Sequence, residues 1–177
     1  MFRLISTIDR FSSSLGVAAA TLVVPLGLIM TYESLARFAL NLPTFWAYEL
    51  SYMITGAHFA LGIALVTRRG EHIRIDFIYA RLSARGKAIL DFAILLCCMV
   101  PVMTWVAAEL VDYAWGSWIG EERSGESGWN PVVWPVRVAV AFGFVAFALQ
   151  LMAETVKTGA VALGMRAPAS DDDGEGD

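Results

Sequence analysis

The sequence has few charged residues, few histidines and only two cysteines. Charged residues make up 17% of its 177 residues and hydrophobic residues 57%, whereas soluble proteins have roughly 25% and 45–50%. This composition excludes an ordinary water-soluble domain. Cys97 and Cys98 are adjacent within an apolar run, so they cannot form a disulfide framework or supply a four-ligand zinc site.

A basic surface is also lacking, which excludes nucleic acid as a partner. The formal net charge is −4, and the last seven residues, DDDGEGD, carry five negative charges. The rest of the chain is therefore nearly neutral and has no electrostatic footprint for nucleic-acid binding. Residues 167–177 are too polar and too rich in glycine to bury a core, so we expect a disordered acidic tail.

Four stretches without any Asp, Glu, Lys or Arg dominate the chain. They cover residues 11–32, 50–67, 92–108 and 138–153, close to the roughly 20 apolar residues that a bilayer-crossing helix needs. Backbone polar groups in lipid must be paired internally, and the runs lack the alternation of a membrane β-barrel. The sequence therefore predicts an all-α membrane protein, with a single domain of four transmembrane helices over residues 1–166.

The placement of basic residues predicts the orientation. Ten of the thirteen lysines and arginines lie before the first run, between the second and third runs, or after the fourth. Because basic residues concentrate in cytoplasmic loops, we expect both termini and the middle loop in the cytoplasm. Tryptophan, which favours the head-group region, is found on or beside the two outer loops at Trp46, Trp115, Trp118, Trp129 and Trp134.

The middle loop, TRRGEHIRIDFIYARLSARGK, has a regular pattern. His72, Arg74 and Asp76 alternate with apolar residues, so an extended segment would present its polar groups on one side. Asp76 can then cap a short helix that lies in the membrane interface. The basic residues of the loop favour anionic membrane lipids, at about 1 kcal/mol each near the surface. One imidazole is too few for a metal site here.

Two features of the first two spans predict helix contacts. Gly56, Ala60 and Ala64 recur every four residues, which makes a flat strip along which another helix can approach closely. Glu33 and Arg37 are spaced i, i+4 at the outer end of the first span. They form either a solvated ion pair or a clamp to a neighbouring helix.

The second span holds two ionisable residues. Glu49 opens it, and His58 follows nine residues later, about 180° around the helix. The two side chains therefore cannot form one site on one face. An ionisable residue inside a membrane is a candidate functional group, and for His58 both structural hydrogen bonding and a pathway role are open.

The outer loop between the third and fourth spans is acidic. Residues 109–130 hold five carboxylates and one arginine. Such a loop is either a solvated surface or a docking surface for a soluble partner. The candidate docking residues are Glu121, Glu122 and Glu126.

Several short motifs, read together, match one known family. The most specific is in the middle loop, where Gly70 to Asp76 fits the pattern Gly-x-His-Ile-x-Val/Ile-Asp. The others are Arg37-Phe38, Trp46 ahead of Glu49, Gly125-Glu126-Ser127, Pro131, Trp134-Pro135 and Gly143. Over roughly residues 10–157 the chain resembles the small membrane subunit, of DctQ type, of the tripartite ATP-independent periplasmic (TRAP) transporters.

The resemblance implies a non-enzymatic permease subunit in a bacterial inner membrane, with no cofactor. It implies sodium-coupled uptake of small organic acids together with a large membrane subunit and a periplasmic substrate-binding protein. In the family the large subunit holds the ion and substrate sites, and the small one braces it. Residues expected to serve the subunit interface or the subunit's own structure are Glu33, Arg37, Trp46, Glu49, Gly56, Ala60, Ala64, His72, Arg74 and Asp76.

Two alternatives from other classes are open. A redox membrane anchor would need axial ligands such as paired histidines facing each other across the bundle, but His72 lies in a loop. A small proton-coupled exporter would use Glu49 as its proton site, although this residue lies near the membrane interface.

Overall fold

The computed structural model describes residues 2–69 and 83–165, and its regular structure there is helical. An isolated antiparallel bridge joins Arg123 and Val132 in the outer loop. The middle-loop motif with His72, Arg74 and Asp76, the interfacial helix expected there and the acidic tail all lie outside the described residues.

Within these described ranges, four helical segments are long and apolar enough to cross a membrane: Arg3–Ala39, Ala47–Arg68, Arg85–Ile119 and Trp134–Ala162. They contain the four predicted runs and are called spans 1 to 4. The helices are α1 (Phe2–Thr21), α2 (Val23–Ala39), α3 (Ala47–Arg68), α4 (Ala84–Ile94), α5 (Val100–Ile119) and α6 (Trp134–Ala162), with a π-helical turn at Leu95–Met99 between α4 and α5.

Two prolines account for the interruptions in spans 1 and 3. Pro25 has no N–H to donate to the carbonyl of Thr21, and α1 gives way to α2 at Leu22. Pro101 likewise cannot donate to the carbonyl of Cys97, and the π-helical turn ends at Met99, two residues before it. Each of the two spans thus changes its hydrogen-bond pattern ahead of the proline.

Helix α6 is the centre of the bundle. It packs against α3 on one side and against α4 and α5 on the other, while α3 also packs against α1 and α2. Of the 18 consecutive residues of span 4 that are most apolar, 44% are buried inside the chain. None of the corresponding residues of span 3 is buried. Small side chains allow this close packing, and the buried ones on α6 are Ala141, Gly143, Ala146, Ala148, Ala153 and Ala160.

The small-residue strip of α3 lies in this interior. A Cβ placed on Gly143 would lie 2.3 Å from the carbonyl oxygen of Ala60, and one on Gly56 would lie 4.0 Å from Val136. Ala64 is fully buried. The strip therefore serves contacts within this chain, chiefly with its own fourth span.

The two ends of the bundle are named after the chain segments that lie there. The terminal end holds the start of α1, the ends of α3 and α6 and the start of α4; there Lys157 lies 2.8 Å from Asp9. The loop end holds residues 40–46 and 120–133. The start of α1 and the end of α6 accordingly lie at the same end of the bundle.

We expect Gly143→Ala to lower stability by about 1–3 kcal/mol, because its Cβ would overlap the backbone of Ala60 and push α3 and α6 apart. Gly116→Ala is the matched control, since open space surrounds that helical position. Thermal unfolding of the purified protein measures both. Equal stability of the two variants would contradict this account of the α3–α6 contact.

Candidate functional site

A buried polar network joins α1 to α6 at the terminal end. Ser12 Oγ donates to Gln150 Oε1 at 2.7 Å, and Gln150 Nε2 donates to Asp9 Oδ1 at 2.8 Å and to Glu154 Oε1 at 2.9 Å. Lys157 Nζ bridges the two carboxylates, at 2.8 Å from each. Ser12 and Gln150 are fully buried, so each finds its partner inside the protein, as buried polar groups must.

This network was not predicted. Asp9 stands just before a charge-free run, and Gln150 is the one amide within the run 138–153. Those isolated polar residues were the available signal, but their pairing depends on how α1 crosses α6. The network joins the two helices at that crossing through Asp9 and Ser12 on α1 and Gln150 on α6.

Further contacts tie the terminal end together. Arg68 at the end of α3 donates to Ser13 Oγ on α1. Arg85 Nε on α4 donates to the carbonyl oxygen of Ala162 at 3.2 Å. Ser83 caps α4, since its Oγ accepts from the N–H of Gly86 at 3.2 Å.

His58 makes a structural hydrogen bond. Its Nδ1 lies 2.7 Å from the carbonyl oxygen of Ala19 on α1. A carbonyl oxygen only accepts, so Nδ1 carries the proton in this bond. Of the two roles considered for His58, the observed geometry supplies the structural one.

Glu33 and Arg37 form more than a solvated pair. Arg37 Nε donates to Glu33 Oε1 at 2.9 Å, while Glu33 Oε2 accepts from the backbone N–H of Thr44 at 3.1 Å and from its hydroxyl. Glu33 is buried, whereas half of the Arg37 side chain is exposed. Trp46 stacks on Tyr32 with ring centroids 6.0 Å apart. The pair therefore secures the loop that leads from α2 into α3.

Glu49 is buried at the loop end, with 2% of its surface exposed. Its Oε2 accepts from the hydroxyl of Ser127, and its Oε1 has no hydrogen-bond partner among the described residues. Ser127 Oγ also accepts from the N–H of Trp129 at 3.1 Å. Glu49 thus attaches the outer loop to the first turn of α3, where a carboxylate is favoured by the helix dipole.

The outer loop is held at its base by an ion pair. Arg137 on α6 donates to both carboxylate oxygens of Glu122, at 2.6 Å for Nη2 to Oε1. The Arg137 guanidinium also lies 3.9 Å from the ring centroid of Tyr113 on α5. All three acids expected to dock a partner, Glu121, Glu122 and Glu126, are exposed, and Glu122 is in addition paired with Arg137.

The tip of the outer loop is closed by main-chain geometry. The N–H of Ser124 donates to the carbonyl of Pro131 at 3.0 Å, and the N–H of Gly125 donates to Asn130 Oδ1 at 2.9 Å. Gly125 has φ of +68°, a value that glycine adopts without steric cost. The loop is therefore a folded surface that presents Glu121 and Glu126 from fixed positions.

The described residues contain no group of three or more His, Cys, Asp or Glu side chains placed to hold a metal ion. Cys97 and Cys98 are free thiols exposed on span 3. The polar groups brought together at the two ends hold helices and loops in place.

One comparison with known proteins gave a match. The family of tripartite ATP-independent periplasmic transporters, DctQ component, matches residues 26–159, about three quarters of the chain. No curated protein and no solved structure matches.

We expect Ser12→Ala to destabilise the protein by about 1–2 kcal/mol, because Gln150 Oε1 would be left buried without its donor. Ser14→Ala, two residues away on the exposed side of α1, is the control and should change stability little. Thermal unfolding compares them. A Ser12→Ala variant as stable as the control would show that the network does not hold α1 against α6.

Proposed function

Because the chain belongs to the DctQ family of TRAP transporters, we propose that it braces the large membrane subunit of such a transporter without handling the cargo itself. The chain is a small permease subunit and a multi-pass protein of the bacterial inner membrane. The family match is the observation that carries the proposal.

The exposed spans support a bracing role. In their most apolar windows, span 1 has 11% and span 3 none of its residues buried inside the chain. Surfaces of this kind need lipid or another membrane helix as a neighbour. We propose that the large subunit covers part of them and membrane lipids the rest.

The polar groups inside the spans also support it. His58 is bonded to Ala19, and Ser12 and Gln150 are bonded to each other. A carrier site needs polar groups that are available to substrate near the midplane, and these are committed to holding helices. Transport chemistry is accordingly assigned to the large subunit.

The family match also supports a proposal for the transported system. We propose sodium-coupled uptake of small organic acids that a periplasmic binding protein delivers. His72, Arg74 and Asp76 of the middle-loop motif are proposed to serve the contact with lipid head groups or the large subunit.

The proposed orientation places the terminal end in the cytoplasm. Basic residues cluster at that end of the described chain, as the positive-inside rule requires: Arg3, Arg10, Arg68, Arg69, Arg85, Lys87 and Lys157. The loop end, with Glu121 and Glu126, then faces the periplasm, where a soluble binding protein docks.

Reconstituted vesicles test the bracing role. We expect this chain to co-purify with the large subunit, and uptake of an organic acid under a sodium gradient to require both. Vesicles with this chain alone should show no uptake, because His58, Ser12 and Gln150 inside its spans are engaged in hydrogen bonds between helices. Full uptake by the large subunit without this chain would overturn the proposal, as would uptake by this chain alone.

Charge reversal tests the docking surface. Glu121→Lys with Glu126→Lys should reduce uptake severalfold at low ionic strength and less at high salt, because screening weakens attraction between exposed charges. Asp112→Lys is the control, because Asp112 is an exposed acid within helix α5 and outside the observed loop, residues 120–133. An equal effect at both salt concentrations would count against electrostatic docking, as would no effect at all.

A further inference from the structure

Span 1 consists of two parts with different surroundings. The lower part is α1, on the N-terminal side of Leu22. It packs against both α3 and α6, and its buried residues along one face are Ile5, Ser12, Gly16 and Ala19. The upper part is α2, on the C-terminal side, which packs against α3 and buries only Glu33 and Ala36 of its 17 residues. The lower part is thus enclosed by the bundle, while the upper part is attached along a single seam.

The lower part is held in the bundle by close packing and by hydrogen bonds. A Cβ on Gly16 would lie 2.3 Å from Leu65 Cδ2, so the Leu65 side chain occupies the space that a side chain at position 16 would need. Ser12 and Asp9 are bonded to Gln150 on α6. Rotation of α1 against the bundle would break both sets of contacts.

The hydrogen bonds between the two parts are reduced at Leu22. Its N–H donates to the carbonyl of Ala19 at 3.0 Å, three residues back and not four. Pro25 supplies no N–H for the carbonyl of Thr21. The segment has fewer backbone bonds resisting a bend than a regular helix has.

His58 acts on this same point. Its Nδ1–H bonds the carbonyl oxygen of Ala19 at 2.7 Å, so this oxygen accepts both from Leu22 and from α3. The Ala19 carbonyl is thus hydrogen-bonded to span 2 close to the interruption at Leu22. A side chain from the rigid part of the bundle therefore sets the geometry at which α2 leaves α1.

We propose that Leu22 is a joint at which α2 rotates relative to the fixed helix α1. The hydrogen bond from His58 to Ala19 sets the angle between the axes of the two helices. The motion carries the loop 40–46 with α2, because Glu33 holds Thr44 and Tyr32 stacks on Trp46. The joint gives the outer corner of the subunit an adjustable position while the terminal end stays fixed.

The size of the expected motion follows from helix geometry. A helix of 17 residues is about 25 Å long, so a rotation of about 10° at Leu22 moves its far end by about 4 Å. Distances between pairs of spin labels resolve such a shift.

The experiment uses the intact transporter complex in nanodiscs, with Cys97 and Cys98 of this chain replaced by alanine. One label pair, at Leu35 on α2 and Val138 on α6, spans the proposed motion. A second pair, at Val17 on α1 and Leu149 on α6, lies below the joint. All four sites are exposed.

His58→Phe removes this hydrogen bond and should shift or broaden the Leu35–Val138 distances by about 3 Å, because Leu35 lies 13 residues from Leu22. The Val17–Leu149 distances should stay unchanged. His58→Asn places an amide N–H near the position of Nδ1 and should restore the original distribution. A purely structural role of the imidazole would move both pairs together, and this result would overturn the proposal.

Pro25→Ala tests the joint independently of His58. It restores the N–H that the carbonyl of Thr21 lacks, so α1 and α2 should join into one stiffer helix, and the Leu35–Val138 distribution should narrow. If this variant leaves the distribution unchanged, Leu22 is not a joint. This readout does not depend on transport activity, so its failure is separate from failure of the proposed function.

Discussion

A lipid bilayer offers no hydrogen-bond partner, and the rest of the structure depends on this constraint. Backbone groups are satisfied within helices, and polar side chains inside the spans must find partners in the protein. Thr55 Oγ1 donates a hydrogen bond to the backbone carbonyl of Ser51, one helical turn earlier. Ser12 and His58 reach a neighbouring span instead, to Gln150 and Ala19. Each polar residue that reaches across becomes a specific tie between helices.

The same constraint explains why α6 lies at the centre. Association of helices in lipid gains little from the hydrophobic effect, so close packing of small residues takes its place. Gly143 meets the backbone of Ala60 on α3, and Gly159 lies against the ring of Phe92 on α4. Helix α6 thus offers close approach on two sides, which leaves spans 1 and 3 at the flanks. A bundle with two exposed apolar flanks suits a subunit that supports another membrane protein.

Acidic residues at the loop end have divided roles. Glu33 secures loop 40–46 through Thr44, Glu49 secures the outer loop through Ser127, and Glu122 pairs with Arg137. Carboxylates suit this task because each can accept several charge-assisted hydrogen bonds near the membrane interface. Glu33 and Glu49 are buried, whereas Glu122 pairs with Arg137 while it is still exposed to solvent. Composition alone does not separate these two groups, since it records only that the region is acidic.

The amino-acid sequence alone predicted the number, type and approximate extent of the spans, because these features depend on local hydropathy and on the thickness of the bilayer. It was also sufficient for the family, whose pattern is spread along the chain. The partners of Gly56, Glu49 and Glu122 came from the tertiary structure, as did the bond of Glu33 with Thr44 and the pairing of Ser12 with Gln150. These contacts join residues that are 11 to 138 positions apart, and their formation depends on which helices become neighbours and at what angle they cross.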